Sequence, residues 1–147
     1  GTLWVSRFAA DKLTSLDPKT GKTTDLSTGA GSKPRRLALA PDGTLWVSLY
    51  GAGRIASVDT ATNAIVKEYE LPGGPNVGPY GINVDAGGRV WVVEHQTDRV
   101  VIFDPKSQGF QIIRLTGKNL GVRNAAIDSQ GRYWYIGSTN GKLGVIE

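Results

Sequence analysis

Apolar residues alternate with polar ones in short runs along the whole chain, and the alternation returns in a fixed register. Each of the four tryptophans closes the same phrase: Gly1-Thr-Leu-Trp4, Gly43-Thr-Leu-Trp46, Gly88-Arg-Val-Trp91 and Gly131-Arg-Tyr-Trp134. The tryptophans stand 42, 45 and 43 residues apart. Nine positions beyond each lies Leu13, Ile55, Val100 or Leu143, and twelve beyond lies Leu16, Val58, Phe103 or Ile146. The next residue is an acid every time: Asp17, Asp59, Asp104 and Glu147.

Within one period the pattern predicts four short strands. Strand a carries apolar residues two apart (Leu37/Leu39, Ile82/Val84, Ala125/Ile127), which is the two-residue period of a strand. Strand b holds the tryptophan, strand c runs through the ninth to twelfth positions, and strand d covers 23–26, 66–71 and 111–115. Turn residues separate them, as in Pro41-Asp42-Gly43, Ala86-Gly87-Gly88 and Asp17-Pro18-Lys19-Thr20-Gly21. No segment keeps a 3.6-residue period, so almost no helix is expected. Four strands per period of this length describe a blade of an all-β propeller.

A lone four-stranded sheet leaves both faces wet, and stacked blades cover them. Trp4, Trp46, Trp91 and Trp134 are therefore read as inter-blade core. A sugar- or base-stacking role fits poorly with identical positions in every repeat. The chain is expected to be one partial domain, 1–147, with repeats 1–42, 43–87, 88–130 and 131–147. These contribute three, four, four and three strands. Propellers close with about four to eight blades, so the rest of the ring must come from remaining blades of a longer chain or from a second copy. The segment reading is favoured, because the ends fall inside blades, and such a piece should be poorly stable alone.

Composition narrows the function classes. Charged residues make up 20% and hydrophobic ones 39%, and no apolar run approaches the roughly 20 residues of a spanning helix; no membrane role is expected. The net charge is +4, yet the basic residues are dispersed and Lys33-Pro34-Arg35-Arg36 is the only cluster. A solvated basic surface is the reading, with no nucleic acid partner. The chain has no cysteine, which removes disulfides and thiolate metal sites and leaves the redox compartment open. A periplasmic or secreted location is favoured over a cytoplasmic one.

Topology locates a site. In an antiparallel meander the d–a and b–c loops emerge on one face, and strand a of a propeller is innermost. Arg35, Tyr80 and Arg123, each eleven residues before its tryptophan, should then ring the mouth of the central channel. The b–c loops begin at Arg7, Leu49, Glu94 and Gly137. Equivalent positions with differing identities suit a site grafted on a repeated scaffold. Arg35, Tyr80 and Arg123, with Arg7, Glu94 and His95 nearby, would take a polar or anionic small molecule; a solvated rim of ion pairs is the alternative. Lys12, Arg54, Arg99 and Lys142 are basic in every repeat and are read as structural. Glu94 and His95 are a candidate half of a metal site, but adjacent strand residues diverge, and a lone surface histidine is the simpler reading. The acids closing strand c are expected to accept turn amides rather than bind Ca²⁺.

The third blade, Gly78-Pro79-Tyr80-Gly81-Ile82-Asn-Val-Asp-Ala-Gly-Gly88-Arg-Val-Trp91-Val-Val-Glu94-His95 and on to Arg99-Val-Val-Ile-Phe-Asp104, resembles repeats of the streptogramin B lyase (virginiamycin B lyase-like) family. Lys12-Leu-Thr-Ser-Leu-Asp17-Pro-Lys-Thr-Gly21 matches that family's strand c and following turn. The resemblance implies a seven-bladed ring, of which this chain is about half. It also implies a metal-dependent carbon–oxygen lyase that opens a cyclic ester by elimination, using Mg²⁺ and a histidine base. In that family the histidines lie in Pro-His-Gly segments opening strand a, and a glutamate closes strand b. Glu94 matches the latter, as a catalytic or metal-site contributor. The histidine slot reads Pro79-Tyr80-Gly81 here, and Arg35 and Arg123 fill it in the neighbouring blades. His95, the only histidine, stands elsewhere, so any base must come from other blades. Two functions stay open: part of such a lyase, or a non-catalytic ligand- or protein-binding scaffold using the d–a/b–c face. Self-assembly through the open blade faces is a third possibility.

Overall fold

The computed structural model describes residues 1–147. Fourteen strands form four antiparallel sheets, each pairing sequential neighbours. The first blade is β1 (Leu3–Arg7), β2 (Lys12–Leu16) and β3 (Thr23–Ser27). The second is β4 (Pro34–Leu39), β5 (Leu45–Leu49), β6 (Arg54–Asp59) and β7 (Ala64–Glu70). The third is β8 (Pro79–Val84), β9 (Val90–Glu94), β10 (Arg99–Asp104) and β11 (Gly109–Arg114). The fourth is β12 (Ala125–Ile127), β13 (Tyr133–Ile136) and β14 (Leu143–Ile146). One 3₁₀ turn, Phe8–Ala10, is the only helical element. β4 lies beside β8, and β8 beside β12, so strand a of successive blades lines the inside of the arc.

Local chemistry sets the turns. Gly43, Gly88 and Gly131 have φ of 89°, 86° and 81°, the left-handed region that glycine enters without a Cβ clash. Asp17, Asp59 and Asp104 each accept backbone amides two residues on, from Lys19, Ala61 and Lys106. These bonds hold all three carboxyls below the ordinary carboxylate range.

Packing follows from the strand period. Tryptophan and its alternate neighbours face the next blade, while the residues on either side of it face the previous one. Leu45 and Val47 bury against Leu13 of the first blade, Val90 and Val92 against Trp46 and Ile55, and Tyr133 and Tyr135 against Trp91 and Val100. Trp46 meets Phe103 edge-on at 5.7 Å, and Trp91 stacks on Tyr133 at 4.9 Å. Each buried aromatic removes on the order of 200 Å² from water, which makes these seams the main source of stability. Trp4 is half-buried against the second blade. Trp134, also half-buried, faces outward beside Ile136, Leu143 and Val145. The two end faces are thus open: Leu3 and Val5 are each 54% exposed and Leu143 67%, where Leu45, Val90 and Val100 are buried.

Candidate ligand-binding face

The d–a and b–c loops do share a face. Ser6 Oγ of the first blade donates to the carbonyl of Arg35, and Ser48 Oγ of the second donates to that of Tyr80, at 2.9 Å each. Strand a is bulged at this point: the β4–β5 register slips between Pro34 and Leu37, and the β8–β9 register between Pro79 and Ile82. The displaced amide of Arg36 is recovered by Ser48 Oγ at 3.0 Å. A bulge re-aims the side chains it carries, and here those are Arg35 and Tyr80.

The Arg35 guanidinium lies over three rings: Tyr80 at 4.1 Å, Phe8 at 4.8 Å and Tyr50 at 5.8 Å. It also donates to the Tyr80 hydroxyl. His95 packs 5.4 Å from Tyr80 and 6.5 Å from Tyr50, and Gln96 donates to the Tyr50 hydroxyl at 2.9 Å. His95 Nδ1 is 3.2 Å from the carbonyl of Val122. A carbonyl only accepts, so Nδ1 carries a proton and donates it here. The result is a cationic group held in an aromatic wall, with hydrogen-bonding atoms at its edge.

Two expected members sit elsewhere. Arg123 stands exposed on the next blade, and its backbone passes Gly81 closely enough that a Cβ there would lie 3.3 Å from its carbonyl oxygen. Arg7 turns along the open face of the first blade to Asp25, at 3.2 Å. Lys12 reaches the same carboxylate at 3.1 Å, which relieves the repulsion between two cations paired across β1 and β2.

Glu94 and His95 diverge. Glu94 is directly opposite Arg99 across β9 and β10 and is buried at 1% exposure. Its Oε2 accepts from Arg99 Nη2 at 2.6 Å, Arg99 Nε at 2.7 Å and Thr97 Oγ1 at 2.6 Å, while Oε1 is buried without a donor. Arg54 likewise pairs with Glu68 at 3.1 Å, so three of the four recurrent basic positions hold acids.

Mg²⁺ takes several oxygen ligands, and the residues of this chain do not fit it. Glu94 shares its single bonded oxygen with a guanidinium. Asp11 is committed to the amides of Gly31 and Lys33, and Asp98 to that of Leu120. No group of three acids or histidines converges anywhere in the chain.

Phe8 and Tyr50 were not singled out from sequence. Their signal was there: the fourth residue after the tryptophan is Phe8, Tyr50, His95 and Ser138, a ring in three repeats of four.

Blades of this geometry define a β-propeller, and solved propellers share it closely. A streptogramin B lyase superposes with a TM-score of 0.87 at 24% identity, over 99% of this chain and 50% of that one. A catalytically inactive virginiamycin B lyase from Staphylococcus aureus with quinupristin gives 0.86 at 22%, over 100% and 52%. The periplasmic gluconolactonase of Pseudomonas aeruginosa gives 0.80 at 20%, over 98% and 46%. The chain therefore spans about half the length of these neighbours, which bear out the expected likeness of fold. No protein-family model and no curated protein sequence matches it.

Proposed function

We propose that this chain is the ligand-recognition part of a propeller that takes a cyclic ester, or a similarly polar small molecule, on its d–a/b–c face. The observation that carries the reading is the Arg35 guanidinium set among Phe8, Tyr50 and Tyr80 beside His95. A fixed guanidinium next to a phenol suits carbonyl or carboxylate oxygens, and the rings supply apolar contact for the body of the ligand. Two of the fold neighbours are named for a streptogramin B and a lactone substrate, which supports that class. Proton abstraction in an elimination needs a base. Arg35, Tyr80 and Arg123 occupy the slots where the resemblance would put histidine, so the chain by itself acts as a binding scaffold, and lyase activity belongs to a complete ring.

Calorimetric titration with quinupristin, alongside mass spectrometry for ring opening, tests this. Saturable binding without linearisation is expected, weakened about tenfold by Arg35→Ala, the loss of one charge-assisted hydrogen bond. Absence of binding, or binding indifferent to Arg35→Ala, overturns the recognition reading. Linearisation by this chain alone overturns the placement of the base.

We infer further that other blades of a longer chain cover the open faces at Leu3/Val5 and Leu143/Val145, because equivalent residues are buried at every internal seam. Light scattering should then give a monomer at low concentration; a defined dimer would assign the cover to a second copy. The periplasmic neighbour favours a periplasmic or secreted location, which cell fractionation tests.

A further inference from the structure

The third and fourth blades latch their tryptophans identically. Asp85 Oδ2 accepts the Trp91 indole N–H at 3.0 Å and Arg89 Nε at 2.7 Å. Asp128 Oδ2 accepts the Trp134 indole at 2.8 Å and Arg132 Nε at 2.7 Å. Each arginine then lies over its indole, at 5.7 and 5.2 Å. The second blade has the same backbone turn: the amide of Ala40 donates to Thr44 and that of Gly43 to Ala40, as Asp85 and Gly88 do in the third. Its side chains differ. Ala40 and Thr44 stand where the aspartate and arginine belong, so the Trp46 indole N–H lacks that acceptor, although the ring itself stays buried.

A cleft of about 760 Å³ opens at this spot, on the a–b/c–d face opposite the ligand-binding face described above. It lies between the two complete blades, so its walls are whole within this chain. Tyr69 contributes aromatic surface, the 3%-exposed Trp46 borders the floor, Val66 and Pro105 give aliphatic surface, and Asp59, Asp104 and Lys106 place charge at the rim. The volume lies within the range of small-molecule sites.

The mixture of groups selects the ligand. A bare anion would meet Asp42, Asp59 and Asp104 against one lysine, and a bare cation would meet Lys106 and the positive edge of the indole. A hydroxyl both donates and accepts, and it satisfies carboxylates and N–H groups together. We propose that this cleft is a binding site for a neutral pyranose sugar, its hydroxyls bonded to Trp46 Nε1, Lys106, Asp59 and Asp104 and its C–H face against Tyr69 and Val66. Asp59 takes its turn amides at Oδ1 and leaves Oδ2 open, while Asp104 Oδ2 already accepts from Ser107 Oγ at 3.1 Å and keeps one further lone pair for this.

The test follows indole resonances in ¹H–¹⁵N spectra, with Trp46 assigned by its loss in Trp46→Phe. Maltotriose or cellotriose should move the Trp46 peak saturably and leave Trp134 still. Ala40→Asp with Thr44→Arg rebuilds the latch on an unchanged turn and should abolish the shift. Asp104→Asn should weaken it about tenfold and carries the test if the latch variant does not fold. The proposal is overturned if neither sugar moves the peak, if the shift survives the latch or Asp104→Asn, or if benzylammonium moves it and the sugars do not.

Discussion

Removing Arg99 isolates the energetics of the one buried ion pair in the chain. The Glu94 side chain is 0% exposed and that of Arg99 15%, so solvent screens their attraction little. Arg99→Met leaves a carboxylate in the interior with Thr97 Oγ1 as its only donor, besides an oxygen that already has none. Breaking a buried pair on one side costs about 3–5 kcal/mol. For a chain of this size that corresponds to a fall in Tm of roughly 6–20 °C. Thermal and urea unfolding read it directly, and the companion Glu94→Leu/Arg99→Met variant supplies the decisive comparison. Removing both charges removes the stranded one, so the double variant should recover most of the loss. Arg99→Lys should fall between, since an ammonium keeps the charge without two N–H groups converging on Oε2. A loss below about 1 kcal/mol in Arg99→Met, or a double variant less stable than the single, would refute the reasoning.

Tyr133 and Asp128 give predictions of opposite sign. The Tyr133 hydroxyl is buried without a partner, so Tyr133→Phe should stabilise by about 1 kcal/mol, read by urea unfolding. Burial also pushes this phenol above its ordinary value of 10.0. Unfolding then releases a proton above about pH 10, so stability must fall as pH rises there, less steeply in Tyr133→Phe. The Asp128 carboxyl is held well below 3.8 by the Trp134 indole, Arg132 and two turn amides, against the opposing effect of burial. Its contribution is present above the unfolded value and lost as pH falls beneath it, and Asp128→Asn should flatten the acid limb of thermal stability against pH.

Much of this fold was legible because its causes are local and repeated. The tryptophan register identified the blades, and the strand d expectations of 23–26, 66–71 and 111–115 fall within two residues of β3, β7 and β11. The turn acids were equally readable, since an aspartate bonding an amide two residues on involves no distant partner. Strand a was read only in part. Its apolar alternation marks the a–b end, but the bulge after Pro34 and Pro79 leaves no mark in the two-residue period. The Glu94–Arg99 pair was within reach: third and eighth positions after the tryptophan face each other across the b–c hairpin, and only the third blade places an acid opposite the base.

The informative residues are those that break the repeat. Where all blades agree, as in the turn glycines and the acid closing strand c, the structure shows turns. The d–a/b–c face departs from agreement at Arg35, Tyr80 and Arg123, and the bulge converts two of these differences into a cation–aromatic cluster. The opposite face departs at Ala40, where the third and fourth blades have Asp85 and Asp128, and the backbone there keeps the turn while a cleft replaces the latch. A scaffold whose stability is spread over many equivalent seams tolerates such local exceptions, because each one removes a few interactions and leaves the neighbouring blades intact. Both exceptions sit at blade junctions, where a single substitution changes the walls of a cavity without disturbing a strand. That is why chemistry on this chain is found by comparing repeats with one another, and why each of the two faces must be tested by restoring or removing the residue that differs.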